Sequence, residues 1–462
     1  MTAAAETADS VEAADGTAEA AQPSLWRNRD FRRFFAGQFV TNAGDSLYSV
    51  AVLWLVFELS GSTVLTGAAN AILLLPWLLQ ILAGPVVDRL PLRPVLVGSQ
   101  LLQGVVVLAL PLAAVTGNLS IGVLFAVVPL LTLATLLMAP MQATIVPRIV
   151  PDEQLSKANS ALATVTLGLD MIFDALGGAF IAVFGATALF LFDAGTFALA
   201  ALLFGGIALS RSADDDPDAG TVDAADPDAE DPDGPESAAD DESILGSYVA
   251  DLRDGIEVLR GTVFVELVLT TAVANLATGV TLAVLPAYGD ALGGPAVYGA
   301  LLGALGVGRL VGSLLAPYVE GVAYGRLLLV GNALGATCWL GAVVAPSPAL
   351  TVVLFGLAWV PAGASGVLTA TLNQTVFPTD LLGRVSTIKG TASGATLPLG
   401  SLVGGVVAQV LGTTTTVGLA AFGFWFTALY LLVRPRLRRL PPVVDADPAA
   451  FDVTVASDSE EE

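Results

Sequence analysis

The chain has 462 residues, of which 55% are hydrophobic and 13% charged, and a formal net charge of −23. A mean hydropathy of +0.76 lies outside the soluble globular range and within that of polytopic membrane proteins. There is no histidine and a single cysteine, Cys338, which excludes histidine triads, His or Cys metal cages and intrachain disulfides, so neither a metal nor a cofactor is expected.

Residues 1–23 are rich in Ala, Glu and Asp and lack the basic stretch and apolar core of a signal peptide, so they read as a disordered acidic tail. At 24–33, Trp26 and Phe31 alternate with Arg27, Arg29, Arg32 and Arg33, the pattern of an interfacial anchor. Six apolar runs follow, at 34–59, 64–87, 94–115, 121–141, 159–184 and 187–209, and complete an N-terminal unit at 24–210. The interval 211–243 is the one long polar stretch. Its carboxylates, interleaved with Pro217, Pro227, Pro232 and Pro235, leave too little apolar surface to offset ordering, so it is expected to be a disordered cytoplasmic linker. An amphipathic piece at 244–260 opens a second unit, 244–440, with runs at 263–285, 296–319, 326–344, 349–372, 386–411 and 414–433. Residues 441–462 read as a second disordered acidic tail. Each run is long enough to cross about 30 Å of hydrocarbon at about 1.5 Å per residue. The expected fold is an all-α membrane protein of twelve transmembrane helices in two pseudo-symmetric six-helix bundles.

Basic residues gather in the loops after the even-numbered runs and in the flanks, whereas the loops at 116–120, 185–186 and 345–348 carry none. That asymmetry predicts a multi-pass protein of the cell membrane with both termini cytoplasmic. Most of the acids lie in the tails and linker, and the only lysines are Lys157 and Lys389. Such segments suit the cytoplasm of a halophilic host, with ordinary acidic tails as the plainer alternative. An internal repeat supports duplication: one constant shift lays Pro151 on Pro378, Lys157 on Arg384, Gly177 and Gly178 on Gly404 and Gly405, and Gly185 on Gly412.

After the second run the sequence reads Gly84-Pro-Val-Val-Asp88-Arg89-Leu-Pro-Leu-Arg93. This resembles the cytoplasmic loop signature of the major facilitator superfamily, with Pro91 where the family usually has Gly and Leu92 where it often has a basic residue. The opening Leu25-Trp26-Arg27-Asn28-Arg29-Asp30-Phe31-Arg32, the Asn42-Ala-Gly44-Asp45 segment and the stretch from Pro140 to Asn159 resemble its macrolide and enterobactin exporter branch. The resemblance implies the major facilitator fold and a drug:proton antiporter, not an enzyme. It implies multidrug efflux of a hydrophobic or amphipathic small molecule by alternating access. Its partners would be the substrate, a coupling cation (proton or sodium) and the lipid bilayer, with no nucleic acid, in a monomer. It also implies that Asp88 and Arg89, assisted by Arg93, latch the cytoplasmic ends of the halves; the alternative is that the arginines are topology charges only. The family's fifth-helix antiporter signature, Gly-Pro-x-x-Gly-Gly, stands here as Phe173-Asp174-Ala-Leu-Gly177-Gly178, without the Gly-Pro, and the fourth run has no arginine.

Ions inside an apolar span are costly unless they face protein, water or a partner. Asp45 lies well within the first run, a cavity-lining helix in this superfamily, and is the first candidate for a proton- or cation-binding carboxylate, with Asn42 one turn before it. The alternative is an acid hydrogen-bonded to a neighbouring helix. Asn275 is a weaker cavity candidate, and Asp193, Glu58 and Glu266 read as structural. Arg309, the only basic residue deep in the apolar part, needs a partner at its own depth. Counted along their helices, Asp170 and Asp174 match it, and the resemblance sets the fifth and eighth helices face to face, so an Arg309 pair with one or both is expected. A static packing pair is the alternative.

Trp54, Trp77, Trp339, Trp359 and Trp425 read as belt or packing residues, with stacking on an aromatic substrate as the alternative, and the Gly303–Gly308 pattern, with no strand before it, as helix packing. No Walker A pattern is present, so ATP on this chain is not the expected energy source. Two other functions fit the same sequence. One is an importer or exchanger of a polar solute, which cavity-facing Asn, Gln and Arg would favour. The other is a non-transporting membrane scaffold or receptor, which requires a filled interior.

Overall fold

A computed structural model describes residues 24–76, 91–136, 138–165, 170–208, 259–451 and 453. The acidic tail 1–23, the linker 211–243, and most of the amphipathic piece 244–260 lie outside these residues, as do Trp77, Asp88 and Arg89. The first half runs α1 (Arg29–Ser60), α2 (Thr63–Leu73), α3 (Leu92–Val107), α4 (Ala109–Val115), α5 (Ile121–Thr135), α6 (Met138–Ile149), α7 (Leu155–Ala163), α8 (Asp170–Phe184) and α9 (Ala186–Gly205). The second runs α10 (Val263–Gly293), α11 (Pro295–Val319), α12 (Tyr324–Val343), α13 (Pro348–Val376), α14 (Thr379–Gly394), α15 (Thr396–Leu411), α16 (Thr413–Ala420), α17 (Phe422–Val433) and α18 (Pro435–Arg438). The described residues contain no strand. Ten helical stretches among them are long and apolar enough to cross a membrane, and two shorter apolar helices, Thr63–Leu73 and Ile172–Phe184, stand at the second and fifth positions. Together they occupy the twelve positions of the expected fold. In hydrocarbon a helix satisfies every backbone donor within itself, which is why apolar runs rich in β-branched residues are helical here.

The molecule has two chemically different ends. At one, chain reversals use glycines at positive φ: Gly61, Gly117, Gly185, Gly293, Gly294 and Gly412. Gly185 caps α9 at φ 81, ψ 157 and Gly412 caps α16 at φ 85, ψ 157, so the sequence repeat is a conformational repeat as well. At the other end arginines close helix termini: Arg33 donates to the Gly206 carbonyl and Arg93 to the Gly205 carbonyl, where the negative end of the α9 dipole favours a cation.

The glycine pairs explain how the halves fit. Gly177 packs on Val50 of α1, and Gly404 packs on Val280 of α10, each within its own half. Their neighbours face across the boundary: a Cβ at Gly178 would collide with the Gly299 backbone of α11, and one at Gly405 with the Thr63 backbone of α2. Without a hydrophobic drive between helices in lipid, backbone approach through small residues supplies the contact. The α2–α15 side adds polar links, Thr63 Oγ1 donating to the Gly405 carbonyl at 2.8 Å and Asn70 Nδ2 to Ser401 Oγ at 2.8 Å. The α8–α11 side adds Trp54 stacked on Tyr298 at 5.9 Å. All these contacts lie toward the glycine-turn end.

The 24–33 segment runs into the first helix: Asn28 caps α1, accepting from Asp30 N and Phe31 N at 3.0 and 3.1 Å, and the helix starts at Arg29. Phe31 is fully buried, while Trp26 stays half-exposed against Phe35. The C-terminal chain is also ordered beyond 441. Tyr324 N donates to the Pro441 carbonyl at 3.1 Å, Val443 N to the Glu320 carbonyl at 3.2 Å, and fully buried Phe451 stacks on Phe264 at 5.8 Å. Isolated Val443, Phe451 and Val453 among acids gave no periodicity, and only the tertiary pocket shows that they are anchors. Phe451→Ala should therefore cost about 3–5 kcal/mol, read as a lowered thermal midpoint in detergent, whereas deleting 454–462 should leave the midpoint in place. Equal midpoints for the two variants would contradict this assignment.

Candidate functional site

A cavity of about 1140 Å³ lies between the halves. It runs from Leu282 and Leu302 near mid-helix to Ser160, Leu267, Tyr324 and Asn373 toward the arginine end. Its described lining comes mostly from α10, α11, α12, α13 and α17, with Ser160, Ala163, Thr164 and Asp174 from the first half. Beyond its mid-helix end the halves meet at Gly178 against Gly299 and at Gly405 against Thr63.

Of the candidates, Asp174, Asn275 and Arg309 line it together. Asn275 Nδ2 donates to the Ser393 carbonyl at 2.9 Å, tying α10 to α14. Arg309 lies over the Trp359 ring, 4.5 Å from its centroid. Trp359 is itself held by Trp339 at 5.4 Å and Phe424 at 5.5 Å, and is 1% exposed. A desolvated cation on an indole face gains about 2 kcal/mol, so the aromatic wall is part of what holds the guanidinium. The Trp359 Nε1–H has no hydrogen-bond partner. Asp170 begins α8, and its side chain is outside the description. Asp45 and Asn42 are apart from this lining: both are half-buried on α1, and Asn42 donates to the Gln38 carbonyl at 2.8 Å. Arg93 is engaged with α9 as described above.

Several residues that the sequence reading passed over also line the cavity. Asn332 and Asn373 are single amides in apolar helices, the same signal that singled out Asn275. Asn373 fell outside the run ending at 372 because α13 continues to Val376. Its Oδ1 accepts from Lys389, whose ammonium lies 4.1 Å from the Phe264 ring centroid. Tyr324 OH and Thr369 Oγ1 share a hydrogen bond of 2.6 Å at the wide end. The glycines read as packing do pack: Gly303 meets Ala175 of α8, and Gly308 meets the Gly356 backbone of α13.

Two pseudo-symmetric helical halves around a central cavity define a secondary transporter fold. A sequence model of the Major Facilitator Superfamily matches residues 34–319, and one described as a transmembrane secretion effector matches residues 232–453. The chain belongs to the major facilitator superfamily. No curated protein sequence matches it. Solved structures of similar fold include the nucleoside transporter NupG, at TM-score 0.63 and 10% identity over 87% of this chain and 98% of that one. A bacterial homologue of the iron transporter ferroportin in an inward-facing state gives TM-score 0.62 and 16% identity over 89% and 99%. A bacterial homologue of the human lysosomal transporter Spinster, inward-facing and unoccupied, gives TM-score 0.60 and 12% identity over 94% and 100%.

Proposed function

We propose that the protein exports a small amphipathic molecule with an anionic or hydrogen-bond-accepting group, by alternating access, against an inward flow of protons or sodium. The observation that carries this reading is the cavity wall, where Arg309, seated on the Trp359 ring, stands among Leu302, Leu305, Leu310 and Leu328. With the arginine end in the cytoplasm of the host cell, as the charge asymmetry favours, the cavity faces inward. Two of the similar structures are recorded inward-facing, in keeping with that orientation. The glycine-packed end is then the outer closure, and Asp88, Arg89 and Arg93 would form the latch that engages when the inner end shuts. Arg309 and Asp174, on one cavity and on opposite halves, with Asp170 nearby in sequence, are the pair through which ion binding would loosen the halves. The acidic linker and tails fit a high-salt cytoplasm. The cavity speaks against a scaffold with a filled interior.

Asn275, Asn332 and Asn373 favour a second reading, transport of a polar solute on the same fold. Purified protein in liposomes with imposed proton or sodium gradients separates the two. Fluorescent amphipathic carboxylates should move with the gradient and stop when an ionophore collapses it. Movement of nucleosides or amino acids alone would select the second reading, and no gradient-dependent movement would overturn both.

A further inference from the structure

Within the second half, α12 and α17 turn Leu328, Asn332, Phe424 and Thr427 toward the central cavity. On other faces the same two helices leave an apolar groove of about 530 Å³ that the transport reading does not use. Phe422, Trp425, Leu429 and Leu432 line it from α17, at helical spacings of three and four that place them on one face, and Leu329 and Ala333 line it from α12. The surface is open: Trp425 is 38% and Leu429 59% exposed. From Phe422 to Leu432 the groove runs about 15 Å at about 1.5 Å per residue, half of about 30 Å of hydrocarbon and so the depth of one leaflet.

One end of the groove carries positive charge. Arg326 stands one turn before Leu329 on the same stripe of α12, and Leu432 is followed closely by Arg434, Arg436, Arg438 and Arg439. The fold draws the two sets together. A Cβ at Gly325 would collide with the backbone of Leu437 and Arg438, and Tyr324 N donates to the Pro441 carbonyl at 3.1 Å, so α18 and the chain after it return against the start of α12. Two of these arginines are engaged elsewhere: Arg434 lies 3.8 Å from Glu266, and Arg436 donates to the Gly261 carbonyl at 3.4 Å. Arg326 and Arg439 are exposed and Arg438 is half-buried. Among the described residues none of these three makes an ion pair, with Glu320, Asp445 and Asp447, the nearest acids along the chain, included. The positive-inside preference accounts for arginines in these segments and not for their convergence on a groove.

We propose that this corner binds an anionic phospholipid, with an acyl chain lying in the groove and the phosphate meeting Arg326, Arg438 and Arg439. A chain of one-leaflet length matches the groove from its charged end to mid-membrane, and guanidinium groups suit phosphate through paired N–H donors. A free phosphate would leave the groove unfilled, and a zwitterionic lipid would bring the arginines no net negative charge. The site rests on membrane insertion alone and is independent of what the central cavity carries.

Quenching of tryptophan fluorescence by lipids brominated along the acyl chain reads contact with Trp425, isolated as the difference between the full-length wild type and Trp425→Phe. The protein is reconstituted in phosphatidylcholine vesicles into which brominated phosphatidylglycerol or brominated phosphatidylcholine is mixed. Phosphatidylglycerol is expected to reach half-maximal quenching of Trp425 at an about tenfold lower mole fraction than phosphatidylcholine. Arg326→Gln, Arg438→Gln and Arg439→Gln together should erase that preference and leave quenching by phosphatidylcholine as it was. Ala333→Phe fills the groove and keeps every charge, so it should remove the preference even if the triple variant does not fold. Equal quenching by the two lipids in the wild type would mean ordinary boundary lipid beside topology charges, and overturns the proposal. A preference that survives in Ala333→Phe or in the folded triple variant places the anionic lipid elsewhere and overturns it too.

Discussion

Gly178→Val is expected to hold the glycine-turn end of the molecule open. The position offers a valine no pocket, because the atoms its Cβ would meet belong to the Gly299 backbone and the Pro295 carbonyl rather than to a side chain that could turn aside. Helices α8 and α11 must therefore separate, and overpacking of this kind costs about 1–3 kcal/mol. The strain falls on the closed state alone, so about tenfold more of the molecule should populate the alternative. In a Cys338→Ser background, a cysteine at Val50, 2% exposed beside Gly177, should react with a water-soluble maleimide about tenfold faster when valine occupies position 178. An unchanged labelling rate would mean that this contact does not control access. Gly405→Val, its repeat partner against Thr63, should act in the same direction, since it also breaks the hydrogen bond of 2.8 Å to the Gly405 carbonyl.

Arg309→Leu is expected to lower movement of an anionic amphipathic probe by about 30-fold, the equivalent of the roughly 2 kcal/mol that a hydrogen bond from a charged guanidinium to the probe's acceptor contributes. Arg309→Lys should recover little. An ammonium keeps the charge but not the plane that lies 4.5 Å over the Trp359 centroid. Trp359→Leu removes the same contact from the other side and should lower movement by a similar factor. The double variant should then be no worse than either single one, a coupling of about 2 kcal/mol between neighbours. Full additivity would show that the ring and the cation act separately. Normal probe movement in Arg309→Leu would remove the residue from the substrate site.

The architecture was legible because lipid makes few demands and makes them everywhere. Twelve apolar runs, glycine turns without Lys or Arg at one end and arginines at the other were enough to define two six-helix halves. The shift that superposes Gly177-Gly178 on Gly404-Gly405 even located the places where helices touch. The site was legible only in part. Asp174, Asn275 and Arg309 stood out as polar residues in apolar runs and share one cavity, whereas Asp45 and Asn42, chosen by the same rule, lie elsewhere. Hydropathy along a chain gives a residue's depth but not the direction in which its helix turns it.

Composition and periodicity by themselves determined that the chain spans a membrane many times, where each span lies, and that the two halves are copies. These follow from the cost of exposing polar backbone or charge to hydrocarbon, which each segment meets within itself. Only the tertiary structure decided that Asp193 is enclosed against Gly44, that Arg309 rests on Trp359, and that Phe451 anchors the acidic C-terminal chain on Phe264. Each is a meeting of residues far apart in sequence, and such a meeting is set by how helices rotate and approach one another, which packing fixes across the whole bundle.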